Sequence, residues 1–154
     1  MKHCFALMAA LIAAISFISP VAAFERRCTA QALQPQDLST RVVGISDGDT
    51  LHAVFPRGHW AAGNQRVRLI EIDAPESSQP FGKRAKQALS ALVFGQQVTL
   101  RVVGRDIYCR PLAAVYREGS YVNLLMVQQG YAWANKEFGR DPAFAKAQAA
   151  AQRA

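Results

Sequence analysis

The sequence predicts a mostly β, α+β domain: a small five-stranded barrel with about three helices packed outside it. Two observations predict it. Short Val- and Ile-rich runs separated by turn signals crowd residues 41–121, dense enough for a sheet to close on itself. Apolar residues recur at helical spacing only after Pro80, after Val122 and after Pro142. A flat α+β sandwich is the alternative arrangement.

Arg41–Ser46 reads as the first strand, and Thr50–Phe55, which alternates apolar and polar residues, as the second. The turn Asp47-Gly48-Asp49 joins them. Pro56–Gln65 reads as a loop and Arg66–Ile72 as a third strand. Pro75 stops it, because proline cannot continue a ladder and holds Ala74 extended. Phe81, Ala85, Ala88, Leu89, Leu92 and Val93 predict a helix over Pro80–Phe94, with Gly95 suited to its C-terminal end. Gln97–Val103 is the fourth strand. Leu112–Tyr116 and Ser120–Tyr121 flank the hairpin signal Glu118-Gly119. Val122–Gln129 reads as a short helix, and the alanine-rich Pro142–Arg153 as a last one.

The first 40 residues stand apart from this body. Lys2 and His3 precede an apolar run from Cys4 to Ile18, and Val21, Ala22 and Ala23 supply small residues before polar sequence begins. Residues 1–23 are therefore expected to be a cleaved signal peptide that sends the protein to the periplasm or medium. The run falls short of the roughly 18–20 apolar residues a spanning helix needs. Residues 24–40 lack periodicity and read as an irregular arm, leaving 41–154 as one domain. Cleavage leaves Cys28 and Cys109. In an oxidising compartment they can form a disulfide, which a loop-entropy model credits with about 4–5 kcal/mol. Two free thiols, or a bond between chains, are the alternatives.

Half of the chain is apolar and about a fifth charged, which excludes a disordered polymer. Lys and Arg outnumber Asp and Glu by 18 to 11. That balance fits a polyanionic partner, although charge alone decides neither fold nor chemistry. Six of the 11 acidic residues, Asp47, Asp49, Glu71, Asp73, Glu76 and Asp106, fall in three short segments, two of which also carry Arg68 and Arg110. Gathered in one site, the carboxylates repel and raise one another's pKa unless a cation relieves them. Oxygen donors without clustered His or Cys point to a hard ion, Ca²⁺ before Mg²⁺ and not zinc. Singly, each segment is weak: Asp-Gly-Asp is often a plain turn.

Their order and spacing resemble the thermonuclease, or staphylococcal-nuclease-like, family. The resemblance runs from about Val42 to Ala132. It includes Val43 to Thr50, Arg68 to Glu76, Gly82 with Ala85, Asp106 to Ala113, and Val122-Asn123 leading to Gly130. It implies an oligonucleotide-binding (OB-fold) barrel with appended helices, and a calcium-dependent endonuclease acting on DNA and RNA with little sequence preference. By position, Asp49 and Asp73 resemble the calcium carboxylates, and Ala74 a residue that lends its backbone carbonyl. Asp47 resembles a carboxylate reaching the ion through water. Glu76 resembles the residue that orients or deprotonates the attacking water, Arg68 and Arg110 the phosphate clamps, and Tyr108 an aromatic that stacks on a nucleotide. The chemistry agrees. Phosphodiester hydrolysis gathers negative charge on phosphoryl oxygens, which a cation and fixed guanidinium groups stabilise. Arg68 and Asp73, five residues apart, point to opposite faces of an ideal strand, so the chain must bend before Asp73, where the Pro75 turn begins.

The chain departs from the family pattern in places. The family commonly has glycine where Cys109 stands and, in some members, a basic residue at Ile107. Pro111 is unexpected, and Lys136 falls near the place of a second stacking aromatic. Lys83, Arg84 and Lys86 read as a solvated helix face, His52 and His59 as strand and loop residues, and Tyr131 and Trp133 as packing or rim residues. The protein is expected to be a monomer. The competing function is a non-catalytic OB-fold module that grips single strands by charge and stacking.

Overall fold

The computed structural model describes residues 28–135 and 141–153. The expected signal peptide and Lys136 lie outside them. The chain is mostly β with three helices, but the expected five-stranded barrel gives way to eight strands in two sheets. Six strands run in the order β3-β2-β1-β5-β6-β7, and β4 pairs with β8 apart from them. Besides β8 (Trp133–Ala134), two local features cause the difference. The hairpin at Glu118-Gly119, both with positive φ, adds β7 (Ser120–Tyr121) beyond β6 (Pro111–Arg117). A turn at Ile70-Glu71 splits the expected third strand into β3 (Gly63–Leu69) and β4 (Ile72–Asp73).

The longest element is β1 (Gln31–Asp47). Its first half pairs antiparallel with β5 (Gln97–Arg105), and its second half with β2 (Thr50–Phe55). The irregular arm expected to extend to residue 40 is therefore strand from Gln31 onward. Composition hid it because this stretch is mostly exposed. Only alternate residues turn inward, Leu38 partly and then Thr40 and Val42 fully, and the partner strand lies far along the chain. β3 pairs with β2, and also in parallel with β6 through Arg68–Leu112 and Leu69–Ala113. That short parallel contact carries the end of β3 to the connection between β5 and β6. Pro111 opens β6, a position where a missing N–H is tolerated.

Helix α1 (Gly82–Val93) buries Gly82, Ala85, Leu89 and Val93, one face at helical spacing. Each large aliphatic side chain so buried stabilises the fold by about 1.5–3 kcal/mol. Helix α2 (Val122–Gln128) buries Met126 and Val127. Helix α3 (Pro142–Ala151) starts at Asp141, whose side chain accepts from the Ala143 amide at 2.8 Å, with proline next. Few large residues hold α3 down; Phe144, 2 % exposed, is its anchor and meets the Tyr121 ring edge-on. Between α3 and the rest, β8 (Trp133–Ala134) pairs with β4.

One polar side chain fastens the core. Asn123 is fully buried at the start of α2. Its Oδ1 accepts from the Val115 amide at 3.0 Å, and its Nδ2 donates to the carbonyls of Ile70 at 2.9 Å and Ala113 at 3.3 Å. It thereby ties α2 to β6 and to the turn that leads into Asp73. A second fastener is covalent: Cys28 is disulfide-bonded to Cys109, with Cα atoms 5.3 Å apart.

Asn123→Ala removes the side-chain partner of the Val115 amide and of the Ile70 carbonyl and is expected to destabilise the fold by about 3 kcal/mol; urea denaturation measures it. Replacing both Cys28 and Cys109 with Ser is expected to remove about 2–5 kcal/mol, read as a lower melting temperature with the native far-UV spectrum retained.

Candidate active site

The site begins at the tight β1–β2 turn. Gly48 lies so close to its neighbours that a Cβ there would stand 2.6 Å from the Ala85 methyl and 2.8 Å from that of Ala74. Only glycine lets this turn settle between α1 and the strand after β3. The turn carries Asp49 inward to 1 % exposure. Its Oδ1 accepts from the Thr50 hydroxyl at 2.9 Å and pairs with Nη1 of Arg68, while its Oδ2 accepts from the Ala74 amide at 2.8 Å. Burial raises the Asp49 pKa, against the opposing pull of Arg68 and of the two hydrogen bonds.

Arg68 sits at the end of β3. Its guanidinium is shared, with Nη1 on Asp49 and Nη2 2.6 Å from Asp73 Oδ1. The bend needed to bring Arg68 and Asp73 together lies at Ile70-Glu71, ahead of the Pro75 turn where sequence placed it. Glu71 takes φ +66, and its carboxylate accepts from the Tyr121 hydroxyl at 2.5 Å. Burial and this carboxylate push the Tyr121 pKa up, so the hydroxyl stays protonated as a donor.

Asp47 turns to the next segment. Its Oδ1 accepts from both the amide of Ser77, at 3.1 Å, and its hydroxyl, at 2.6 Å. Burial raises the Asp47 pKa, but these bonds and the charges of Arg66 and Lys86 outweigh it, so the net direction is down. Asp47 thus anchors the loop that holds Glu76. That loop also closes on itself, with Glu76 N donating to the Gln79 side chain at 2.9 Å. Gly82 is indispensable beneath it: a Cβ there would stand 1.8 Å from the Glu76 carbonyl oxygen.

The β5–β6 connection supplies the rest. Asp106 Oδ1 accepts from the amides of Tyr108 and Arg110, both at 2.9 Å, and its Oδ2 accepts from Arg110 Nε at 2.7 Å. Cys109 takes φ +62, a left-handed conformation that glycine adopts freely and other residues hold at a cost. Arg110 lies 5.4 Å from the centre of the Tyr108 ring, and Tyr108 is 72 % exposed.

Arg68, Asp73, Glu76, Asp106, Tyr108 and Arg110 line one open cleft of about 430 Å³. Asp47, Asp49 and Ala74 do not line it; Asp49 lies behind Arg68, and Ala74 is buried. Among the described residues no three His, Cys, Asp or Glu side chains are grouped to hold a metal ion. Two carboxylates, Asp49 and Asp73, do converge on a single cationic group, the Arg68 guanidinium. Sequence reasoning missed the supporting residue Ser77, and it named Thr50 and Asn123 among the motif residues without a role.

A family profile described as "Staphylococcal nuclease homologue" matches residues 66–154. An uncharacterized endonuclease of Haemophilus influenzae is 49 % identical over 114 residues, which is 73 % of this chain and 61 % of that protein. The chain thus spans less than two thirds of that relative's length. The micrococcal nuclease of Shigella flexneri is 37 % identical over 149 residues, 91 % of this chain and 76 % of its own. A probable staphylococcal-like nuclease of Oryza sativa is 38 % identical over 91 residues, 59 % of this chain and 28 % of its own. The profile covers Arg68, Asp73, Glu76 and the Asp106–Arg110 loop, and the Shigella match extends over nearly the whole chain: the protein belongs to the staphylococcal nuclease homologue family.

Proposed function

We propose that this protein is an exported, calcium-dependent endonuclease that hydrolyses phosphodiester bonds of DNA and RNA with little sequence specificity. The observation that carries the reading is one cleft lined by two arginines held by carboxylates and by Glu76, a carboxylate with no ion pair among the described residues. Nuclease relatives along most of the chain support it. The disulfide supports an oxidising compartment, and with it export through residues 1–23.

The donor set fits a hard divalent ion. Asp49 and Asp73 already share one cationic group, and the Ala74 backbone adjoins both. Bound there, calcium would supply Lewis-acid stabilisation of charge on a phosphoryl oxygen. The chain's own residues do the rest. Arg110 is aimed by Asp106 through Nε, and among the described residues its terminal nitrogens make no hydrogen bond, so its fork is available to phosphate oxygens. Arg68, held between Asp49 and Asp73 at the cleft wall, would be the second guanidinium within reach of a phosphate. Glu76, exposed and at the cleft wall, is placed to orient a water or accept its proton. Tyr108 offers its ring at the rim to a nucleoside. We take the protein to act as a monomer.

Digestion of single- and double-stranded DNA and of RNA by the mature protein tests this reading. Cleavage is expected with calcium and is expected to stop on adding a calcium-selective chelator; a folded protein that cuts nothing under any metal would instead be a binding module. Glu76→Gln is expected to lower kcat by about 10²–10⁴ with an unchanged melting curve, and full turnover in that variant removes Glu76 from the chemistry.

A further inference from the structure

We propose that a second groove, between Phe81, Arg84, Tyr131 and Trp133, is a stacking subsite that takes an unpaired nucleobase of the strand whose phosphate lies in the cleft. The proposal rests on the nuclease reading above and adds a recognition element to it. The groove encloses about 390 Å³ and runs from Pro75 and Pro80 to Trp133. Three aromatic rings lie open along it: Phe81 is 71 % exposed, Trp133 53 % and Tyr131 37 %. Single exposed aromatics are ordinary, but three lining one groove form a patch that water solvates poorly.

Local backbone geometry supports a purpose. Phe81 precedes α1 at φ +64, a conformation that a non-glycine residue holds at some cost, and its ring stays out of the core. The Arg84 guanidinium lies 5.7 Å from the centre of that ring, and among the described residues Arg84 forms no salt bridge. The groove therefore joins flat apolar faces to an uncompensated positive charge, the pairing that a base and its phosphate require. A purely apolar peptide would gain nothing from Arg84.

Position connects the groove to the cleft. Pro75 lines the groove, while its neighbour Glu76 lines the cleft. Trp133 is paired across the β4–β8 ladder with Asp73, which also lines the cleft. Cleft and groove thus adjoin at Pro75-Glu76 and at the Asp73–Trp133 pair, where a strand bound at the arginines would continue. Bases locked in a duplex cannot stack there, so the subsite selects single-stranded or locally opened nucleic acid.

Oligothymidylates test this, with one nucleotide at a time replaced by an abasic residue and binding measured with calcium on Glu76→Gln protein. One abasic position is expected to weaken binding about tenfold. Adding Trp133→Ala is expected to weaken binding of the intact oligomer by a similar factor and to erase the abasic effect, while Trp133→Phe restores both. Trp133→Ala and Phe81→Ala proteins that bind intact and abasic oligomers as the parent does, beside a wild type that cuts DNA, overturn the subsite and leave the nuclease reading standing. A folded wild type that neither cuts nor binds overturns both.

Discussion

The Asp49 carboxylate is where the separate parts of the cleft are joined. One oxygen holds Arg68 and the Thr50 hydroxyl, and the other holds the Ala74 amide. The β1–β2 turn, the end of β3 and the strand beyond it therefore meet on one buried charge. An unpaired carboxylate at that depth is strongly disfavoured, so the partners are required as much as they are recruited. Gly48 makes the burial possible by letting the turn close against Ala74 and Ala85. Around this centre the other polar anchors repeat the same logic at lower charge: Asp47 holds the Glu76 loop through Ser77, Asp106 holds Arg110, and Asn123 holds the turn before Asp73.

Such an arrangement separates stability from reactivity. Three heavily bonded groups, Asp49, Asp47 and Asn123, do not line the cleft, while Glu76 and the fork of Arg110 line it with few ties of their own among the described residues. Loops that carry chemistry are usually mobile. Here they are pinned by side chain-to-backbone hydrogen bonds, some local and some from the distant Asp47, which fix geometry without covering the reactive atoms.

Much of this was readable in the sequence, and the failures have specific causes. Helix α1 was legible because Ala85, Leu89 and Val93 repeat at helical spacing, and the β1–β2 turn because Asp47-Gly48-Asp49 permits little else. Arg68, Asp73, Glu76 and Arg110 were named as site residues, and the structure gathers all four in one cleft. The strand at residues 31–40 was not legible. It is polar, half solvated and paired with residues some sixty positions away. Register between distant segments leaves no local trace. The five-stranded barrel was overcounted in regularity for a related reason: the positive φ at Glu71 sits on a residue type that gives no warning of it, and so the break between β3 and β4 is invisible in a run that reads Val-Arg-Leu-Ile-Glu-Ile. Arg84 and Trp133 looked like surface and rim residues because their common groove forms only when α1 and β8 are brought together.

The disulfide at Cys109 also constrains how this loop can be altered. Residue 109 needs positive φ, so every side chain there carries a backbone penalty of about 1–3 kcal/mol that glycine escapes. Only with Cys28 in place does a cysteine at 109 return a stabilising crosslink. The two positions therefore show sign epistasis. Cysteine at 109 is harmful beside a non-cysteine at 28 and favourable beside Cys28, whereas cysteine at 28 alone changes little in the loop. Stepwise passage between a glycine-bearing loop and this one is smooth in one order only, with residue 28 changing first on the way in and last on the way out.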